Sequence, residues 1–179
     1  MNDVLSIITR YYLPGTTLYD TLMRHSQSVC DKALQLVSRH PELGIDTDFV
    51  VEAAMLHDIG IFMTEAPKIF CVGSHRYIEH GYLGAELMRR EGLPRHALVC
   101  ERHTGTGISL EQILEQDLPL PHRDMRPVSL EEQLICYADK FYSKSHLDQE
   151  LTIDQARAKL VRFGDSSVER FDEWVEKFE

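Results

Sequence analysis

The chain has 179 residues, of which 43% are hydrophobic, and a formal net charge of −10. These values are typical of a globular protein of one domain. They argue against a disordered chain, and against DNA or RNA as partners, because a phosphate backbone requires a basic surface. The sequence has no apolar run near the ~20 residues that cross a bilayer and no signal-peptide pattern at its start, so we expect a cytoplasmic protein without a membrane partner.

The spacing of apolar residues predicts a succession of helices. They run over residues 18–39, from 46 or 47 to near 60, from near 80 to 92, from 94 to 101 or 103, and onward from the capping residues Ser109, Ser129, Thr152 and Ser166. Pro41 disfavours helix in the residue before it, and capping hydroxyls accept hydrogen bonds from free N–H groups. No strand alternation is evident, and residues 61–78 are predicted to form a loop that could cover a site. We therefore expect an all-α, single-domain bundle of seven to nine helices over residues 1–179.

Cysteines and isolated histidines are not expected to carry the function. The four cysteines, Cys30, Cys71, Cys100 and Cys136, are far apart in the sequence and form no C-x-x-C pair. Three of them (Cys30, Cys100 and Cys136) have apolar neighbours and are predicted to be buried and reduced. Surface or cap positions are expected for His40, His96, His122 and His146.

The most informative motif is the pair His57-Asp58, which follows the apolar stretch 54–56 and precedes Gly60. Imidazole and carboxylate groups suit a divalent transition metal ion that activates water. Successive helical residues point about 100° apart, so these two can serve one ion only where the helix frays or turns. The glycine at position 60 provides such a turn. Four further residues could complete a site: His25, His80, His103 and Asp139.

A carboxylate has two oxygens, so Asp58 could bridge two metal ions. One ion would take His25, His57, Asp58 and Asp139. The second would take Asp58, His80 and His103. Two ions about 3.5–4 Å apart could hold a hydroxide between them and clamp a phosphoryl group. A single ion in the first group could still activate water.

Each of these residues also has an ordinary structural interpretation. His25 alone could be a hydrogen-bonded core histidine, His80 could begin a helix, and Asp139 could be a surface acid beside Lys140. The combination is more specific than any member. Asp139 in particular follows Ala138 on an otherwise apolar helix, where an unpaired carboxylate would be costly to bury.

This set of residues resembles the HD superfamily of metal-dependent phosphohydrolases. The stretch 56–60 matches its HD-I-G signature, while His25 and Asp139 match the upstream histidine and the distal aspartate. His80, before Gly81, and His103, before Thr104-Gly105, match the extra histidines of the subgroup that binds two metal ions. The resemblance covers roughly residues 18–145 and leaves the C-terminal helices at 152–179 without a family motif.

The resemblance implies a helical bundle of the HD-domain type and hydrolysis of a phosphoester, often a nucleotide. Residues 80–87 are similar in part to HD enzymes that hydrolyse dinucleoside tetraphosphates. The doubled histidine of the superfamily's cyclic-dinucleotide phosphodiesterases is missing, because Arg102 stands beside His103. This difference argues against cyclic-dinucleotide hydrolysis.

The expected cofactor is one or two divalent transition metal ions, with iron favoured and manganese, cobalt, nickel or zinc as alternatives. Asp58 and Lys140 are the predicted catalytic residues. Lys140, Arg76 and His75 are predicted to bind the charge on a phosphate substrate, since cationic groups stabilise its oxygens.

Three functions are consistent with this sequence. The first is a phosphohydrolase that uses a hydroxide on its metal ions to attack a nucleotide or another small phosphoester. The second is an HD-type di-iron oxygenase acting on a small polyol or phosphonate, because the resemblance implies the same ligands for both activities. The third is a non-catalytic regulator that binds a metal ion or a nucleotide. The oligomeric state is left open.

Overall fold

The computed structural model describes residues 3–179. Within this range nine α-helices account for most of the chain, which confirms the predicted all-α fold. They are α1 (Val4–Tyr11), α2 (Thr17–Arg39), α3 (Thr47–Leu56), α4 (His80–Arg90), α5 (Pro94–Arg102), α6 (Leu110–Glu115), α7 (Leu130–Asp139), α8 (Ile153–Leu160) and α9 (Asp165–Phe178). No helix in the described range is both long enough and apolar enough to cross a membrane.

Helix ends lie close to where the capping residues predict them. Ser109 and Thr152 form complete capping boxes with Gln112 and Gln155, in which each side chain bonds to the backbone N–H of the other residue. Ser129 accepts a hydrogen bond from the backbone of α7 in the same way. The predicted cap at Ser166 is wrong: α9 begins at Asp165, so Ser166 lies inside the helix and the cap position is held by Gly164, whose φ of 91° favours glycine.

Four short strands were not predicted. They are β1 (Glu65–Ala66), β2 (Cys71–Val72), β3 (Tyr142–Ser143) and β4 (His146–Glu150), and they form two antiparallel pairs, β1 with β2 and β3 with β4. Three of them have two residues each, too few for alternation to show, and β4 is mostly exposed and polar. Helix α1 also lies outside the predicted set.

Burial agrees with the cysteine prediction and corrects one histidine. All four cysteine thiols are free and buried. His40 caps the end of α2, while His122 and His146 are exposed, as predicted. His96 is only 5% exposed, so its predicted surface position is wrong. Its Nε2 lies 3.1 Å from the Glu52 carboxylate across the contact between α5 and α3, and this partner satisfies the imidazole inside the core.

The C-terminal helices pack directly on the helix that ends at Asp139. The Tyr137 ring of α7 lies 5.2 Å from the Phe171 ring and 5.7 Å from the Phe178 ring of α9, measured between centroids. Ala156 and Leu160 of α8 join the same buried cluster. The segment after residue 145 is therefore part of the support of α7.

A close backbone approach joins the turn after α3 to α4. A Cβ atom on Gly60 would overlap the carbonyl oxygen of His80 and the amide nitrogen of Gly84. Only glycine fits there, and the contact sets the end of α3, with His57 and Asp58, directly against the start of α4.

We therefore expect Gly60→Ala to destabilise the protein by at least about 2 kcal/mol, because an added methyl group meets backbone atoms that cannot rotate away. Chemical denaturation would measure the change. Gly92→Ala is the control, since Gly92 has open space around it and a φ of 75°, so its cost should be limited to about 1–2 kcal/mol of left-handed backbone strain. A Gly60→Ala variant no less stable than this control would contradict the steric argument.

Candidate metal centre

Three of the predicted metal ligands, His57, His80 and His103, are oriented by the same kind of local hydrogen bond. His57 and His103 follow the last residues of α3 and α5, and His80 is the first residue of α4. The Nδ1 atom of each lies close to the carbonyl oxygen three residues earlier, at 2.6 Å for His57 and His80 and at 2.8 Å for His103. A carbonyl only accepts, so Nδ1 donates in each ring and Nε2 faces the interior, where it can bind a metal ion when the ring is neutral.

The first donor group joins α2, α3 and α7. His25 Nε2 lies 3.1 Å from Asp58 Oδ2 and 2.9 Å from Asp139 Oδ1. His57 Nε2 lies 3.1 Å from the same Asp58 oxygen and 3.5 Å from the same Asp139 oxygen. All four residues are buried. Four donor atoms from three helices thus surround one point.

The second donor group uses the other oxygen of Asp58. Asp58 Oδ1 lies 3.4 Å from His80 Nε2 and 3.2 Å from His103 Nε2. The two Nε2 atoms are 3.0 Å apart. Burial and the neighbouring His103 lower the pKa of His80 to about 3, so its imidazole is neutral at pH 7. Two lone pairs that face each other at this distance need a cation or a proton between them.

The donor atoms fit divalent metal ions. A metal–donor distance of about 2.1 Å separates neighbouring donors by about 3.0 Å in an octahedral site and about 3.4 Å in a tetrahedral one. The Asp58 side chain is wholly buried, and neither of its oxygens accepts a hydrogen bond of normal geometry; His57 Nε2 also has no hydrogen-bond partner. Buried polar atoms without such partners are costly unless an ion satisfies them. The structure brings all six predicted ligands together in the two predicted groups, while their role as ligands stays a prediction.

Two lysines balance the charge of the two carboxylates. Lys144 Nζ lies 2.5 Å from Asp58 Oδ2, and Lys140 Nζ lies 2.7 Å from Asp139 Oδ2. Burial alone would raise the pKa of both carboxyl groups, but Lys144 for Asp58 and Lys140 for Asp139, helped by the histidines, lower it well below its usual range. Both acids are therefore ionised and able to bind a cation.

Lys144 was not predicted from the sequence as a residue of this centre. It lies between β3 and β4, outside any motif, and only the turn of that strand pair directs its ammonium to Asp58. The predicted Lys140 reaches the centre and also donates to the carbonyl oxygen of His103 at 2.9 Å.

Two predicted substrate residues lie away from the centre. His75 and Arg76 are exposed and do not line the cavity beside the donor groups. His75 Nδ1 lies 3.1 Å from Glu79 Oε1, and the backbone N–H of Arg76 donates to Glu79 Oε2 at 2.7 Å. Both contacts lie in the turn before α4, and the role of these two residues in substrate binding stays a prediction.

A cavity of about 750 Å³ opens onto His80, His103 and Asp139. Of the described residues that line it, Asp139 is the one carboxylate, and five are cationic: Lys68, Lys140, Lys144, Lys159 and Arg162. Aromatic side chains, among them Tyr77, Tyr142 and Phe163, supply part of the wall. The cavity is thus basic in an otherwise acidic chain.

The HD domain family model matches residues 22–143, a range that holds all six predicted ligands. This chain belongs to the HD domain family. The domain is 34% identical over 123 residues to an uncharacterized protein of Methanocaldococcus jannaschii, covering 67% of this chain and 65% of that protein. It is also 31% identical over 129 residues to a tRNA (cytidine(56)-2′-O)-methyltransferase of Picrophilus torridus, covering 72% of this chain and 33% of that protein. The chain thus spans less than two thirds of the length of either relative.

Two solved structures share the fold of this HD domain. They are the HD domain of the Listeria monocytogenes phosphodiesterase PgpH, alone and in complex with cyclic-di-AMP. The TM-scores are 0.55 and 0.52 and the sequence identities 15% and 14%, with 97% of this chain covered in both comparisons and 95% and 94% of the PgpH chains. At this identity the likeness shows the fold and no more.

We predict that the protein binds two divalent ions per chain, and that His80→Ala reduces this number to one, because His80 belongs to the second donor group alone. Asp58→Ala should remove both ions, because each group loses an oxygen. Elemental analysis after equilibration with Mn²⁺ and gel filtration would measure the metal content. His122→Ala, at an exposed histidine, is the control. Equal metal content in wild type and the Asp58 variant would contradict the shared carboxylate.

Proposed function

We propose that this HD domain is a metal-dependent phosphohydrolase that acts on a nucleotide or another small phosphoester. One observation carries the proposal: two donor groups that share Asp58 open onto a cavity whose other charged side chains are all cationic. Donor groups of this kind suit ions that activate water, and cationic walls suit a phosphorylated substrate.

The residues fall into distinct roles in this proposal. The first group would hold one ion, through His25, His57, Asp58 and Asp139. The second group would hold another, through Asp58, His80 and His103. Ions bound there would supply an activated water molecule and neutralise charge on the phosphate.

The two lysines would act on different partners. Lys140 bonds to Asp139 and to the backbone of His103, so it fixes one ligand from each group in place. Lys144 faces Asp58 Oδ2 at the cavity wall. A divalent ion on that oxygen would compete with its ammonium, which is then free to contact a phosphate oxygen and stabilise the charge that develops during hydrolysis.

The organic part of the substrate has an apolar surface to bind. Ile78, Ile108 and Phe163 line the cavity together with Tyr77, whose ring stacks on the His80 imidazole at 4.6 Å between centroids. Such a wall accepts the flat face of a nucleobase. This feature supports a nucleotide over an unsubstituted polyol, which would leave both the cations and the apolar wall without partners.

A panel assay tests the function. Protein loaded with Mn²⁺, Fe²⁺, Co²⁺ or Ni²⁺ is incubated with nucleoside mono-, di- and triphosphates, cyclic dinucleotides and sugar phosphates, and released phosphate or nucleotide is measured. We expect turnover that Asp58→Asn abolishes. If no compound is cleaved while metal is bound, the proposal fails. Substrate-dependent O₂ consumption with a di-iron EPR signal would then favour an oxygenase, and ligand binding without turnover would favour a regulator.

Replacing Lys144 distinguishes a role in stabilising charge on the substrate from a role in supporting the metal ligands. We expect Lys144→Gln to lower kcat/KM by roughly 10²- to 10³-fold, the loss seen when one preorganised charge-stabilising donor is removed. Metal affinity should stay equal or rise, because a competing cation is lost. Steady-state kinetics and metal titration measure the two effects, with Lys177→Gln on the exposed face of α9 as the control. Loss of metal together with activity would show instead that Lys144 supports the ligand site.

A further inference from the structure

We propose that the end of α8 and the turn after it build a second anion subsite, in which Lys159 and Arg162, together with Lys68 from the turn between β1 and β2, hold a further phosphate group of the substrate. The subsite deepens the proposed function and rests on it for the identity of the first phosphate. The substrate class that it implies is a phosphoester with at least two phosphate groups in succession, such as a nucleoside di- or triphosphate.

The subsite residues lie in the same cavity as the metal centre but come from other parts of the chain. Lys159 is in α8 and Arg162 in the single 3₁₀ turn Val161–Phe163, both beyond residues 22–143 that match the family model. Lys68 belongs to the turn between β1 and β2. All three are exposed, whereas the lysines beside the donor groups are mostly buried. The cavity therefore has a basic inner end and a basic outer rim.

The rim cations have no acidic partners. Within the described chain, no carboxylate lies within ion-pair distance of Lys68, Lys159 or Arg162, although acidic residues outnumber basic ones by 29 to 19. By contrast, Arg157 on the same helix forms a bidentate pair with Asp172. Three unpaired cations around one cavity raise its positive potential and attract an anion.

The turn that carries Arg162 packs against residues close to the donor groups. Gln112 donates a hydrogen bond to the carbonyl oxygen of Phe163 at 3.0 Å, and Leu160 is buried in the main core. A Cβ on Gly105, two residues after His103, would contact the Phe163 ring at 3.4 Å. The turn that carries Arg162 thus packs on the turn that follows a predicted metal ligand.

The size of the cavity favours a long ligand. About 750 Å³ is far more than one phosphate group fills, and lies within the range of roughly 300–1,000 Å³ typical of sites for whole small molecules. One phosphate at the donor groups would leave the rim cations in contact with solvent alone. A chain of phosphates extends from the buried end toward the rim and pairs with both.

Equilibrium binding tests the subsite without requiring turnover. Inorganic phosphate and inorganic triphosphate are titrated by calorimetry into Mn²⁺-loaded protein with free Mn²⁺ held in excess. We expect Lys159→Gln/Arg162→Gln to weaken triphosphate binding by roughly 10- to 100-fold, the range for lost charge-assisted hydrogen bonds, and phosphate binding by less than about threefold. Arg90→Gln/Lys177→Gln, which makes the same change in net charge outside the cavity, should leave both affinities unchanged.

The outcomes separate the subsite from the hydrolase. Unchanged triphosphate binding in the Lys159/Arg162 variant overturns the subsite even if phosphoesters are cleaved. An equal loss in the Arg90/Lys177 control also overturns it, since the effect is then one of overall charge. A loss confined to triphosphate supports the subsite even if no substrate is hydrolysed, in which case only the proposed reaction fails. Lys68→Gln, on a separate element, gives an independent check with the same expected direction.

Discussion

The buried carboxylate of Asp58 is the constraint on which the rest of this structure depends. It is fully shielded from solvent, and an isolated charge in such a place is unstable unless nearby groups offset it. The Lys144 ammonium reaches one of its oxygens, and the Nε2 atoms of His25, His80 and His103 face these oxygens from separate elements, where a bound cation would satisfy both carboxylate and imidazoles. Because one short side chain must meet all of them, α2, α4, α5 and the β3–β4 turn converge at the end of α3.

The sequence identifies the residues that gather at this centre chiefly through their order and context, which resemble the HD superfamily, because His25, His80 and Asp139 each have an ordinary interpretation when taken alone. His57-Asp58 stands at a helix end marked by Gly60, and helix periodicity with capping residues places most of the other elements. Lys144 and the buried position of His96 escape prediction for a common reason. Each depends on a partner far away in sequence, Asp58 in the first case and Glu52 in the second, and no local pattern shows which distant group will meet a side chain.

The net charge of this protein is negative, whereas the charged side chains that line its cavity are mainly cationic. The net charge of −10 does not describe the cavity, whose described lining residues include five cationic side chains and a single carboxylate. The acidic residues elsewhere that form ion pairs do so mostly with arginines, such as Glu101 with Arg123. A cleft lined by charges of one sign focuses its potential, whereas salt screens charges on the open surface, so the cavity can be positive while the chain as a whole is negative.

The contact between Lys144 and Asp58 would link cation binding to substrate binding in the proposed hydrolase. The ammonium and a divalent ion would both be attracted to Asp58 Oδ2, and a doubly charged ion held by several donors would compete well against a single ammonium. The displaced ammonium would then face the cavity and attract an anion, so a phosphate group would bind more favourably once the donor groups were filled. By reciprocity, the phosphate group would also favour retention of the ions. One side chain would thus couple the two ligands of the proposed function through charge.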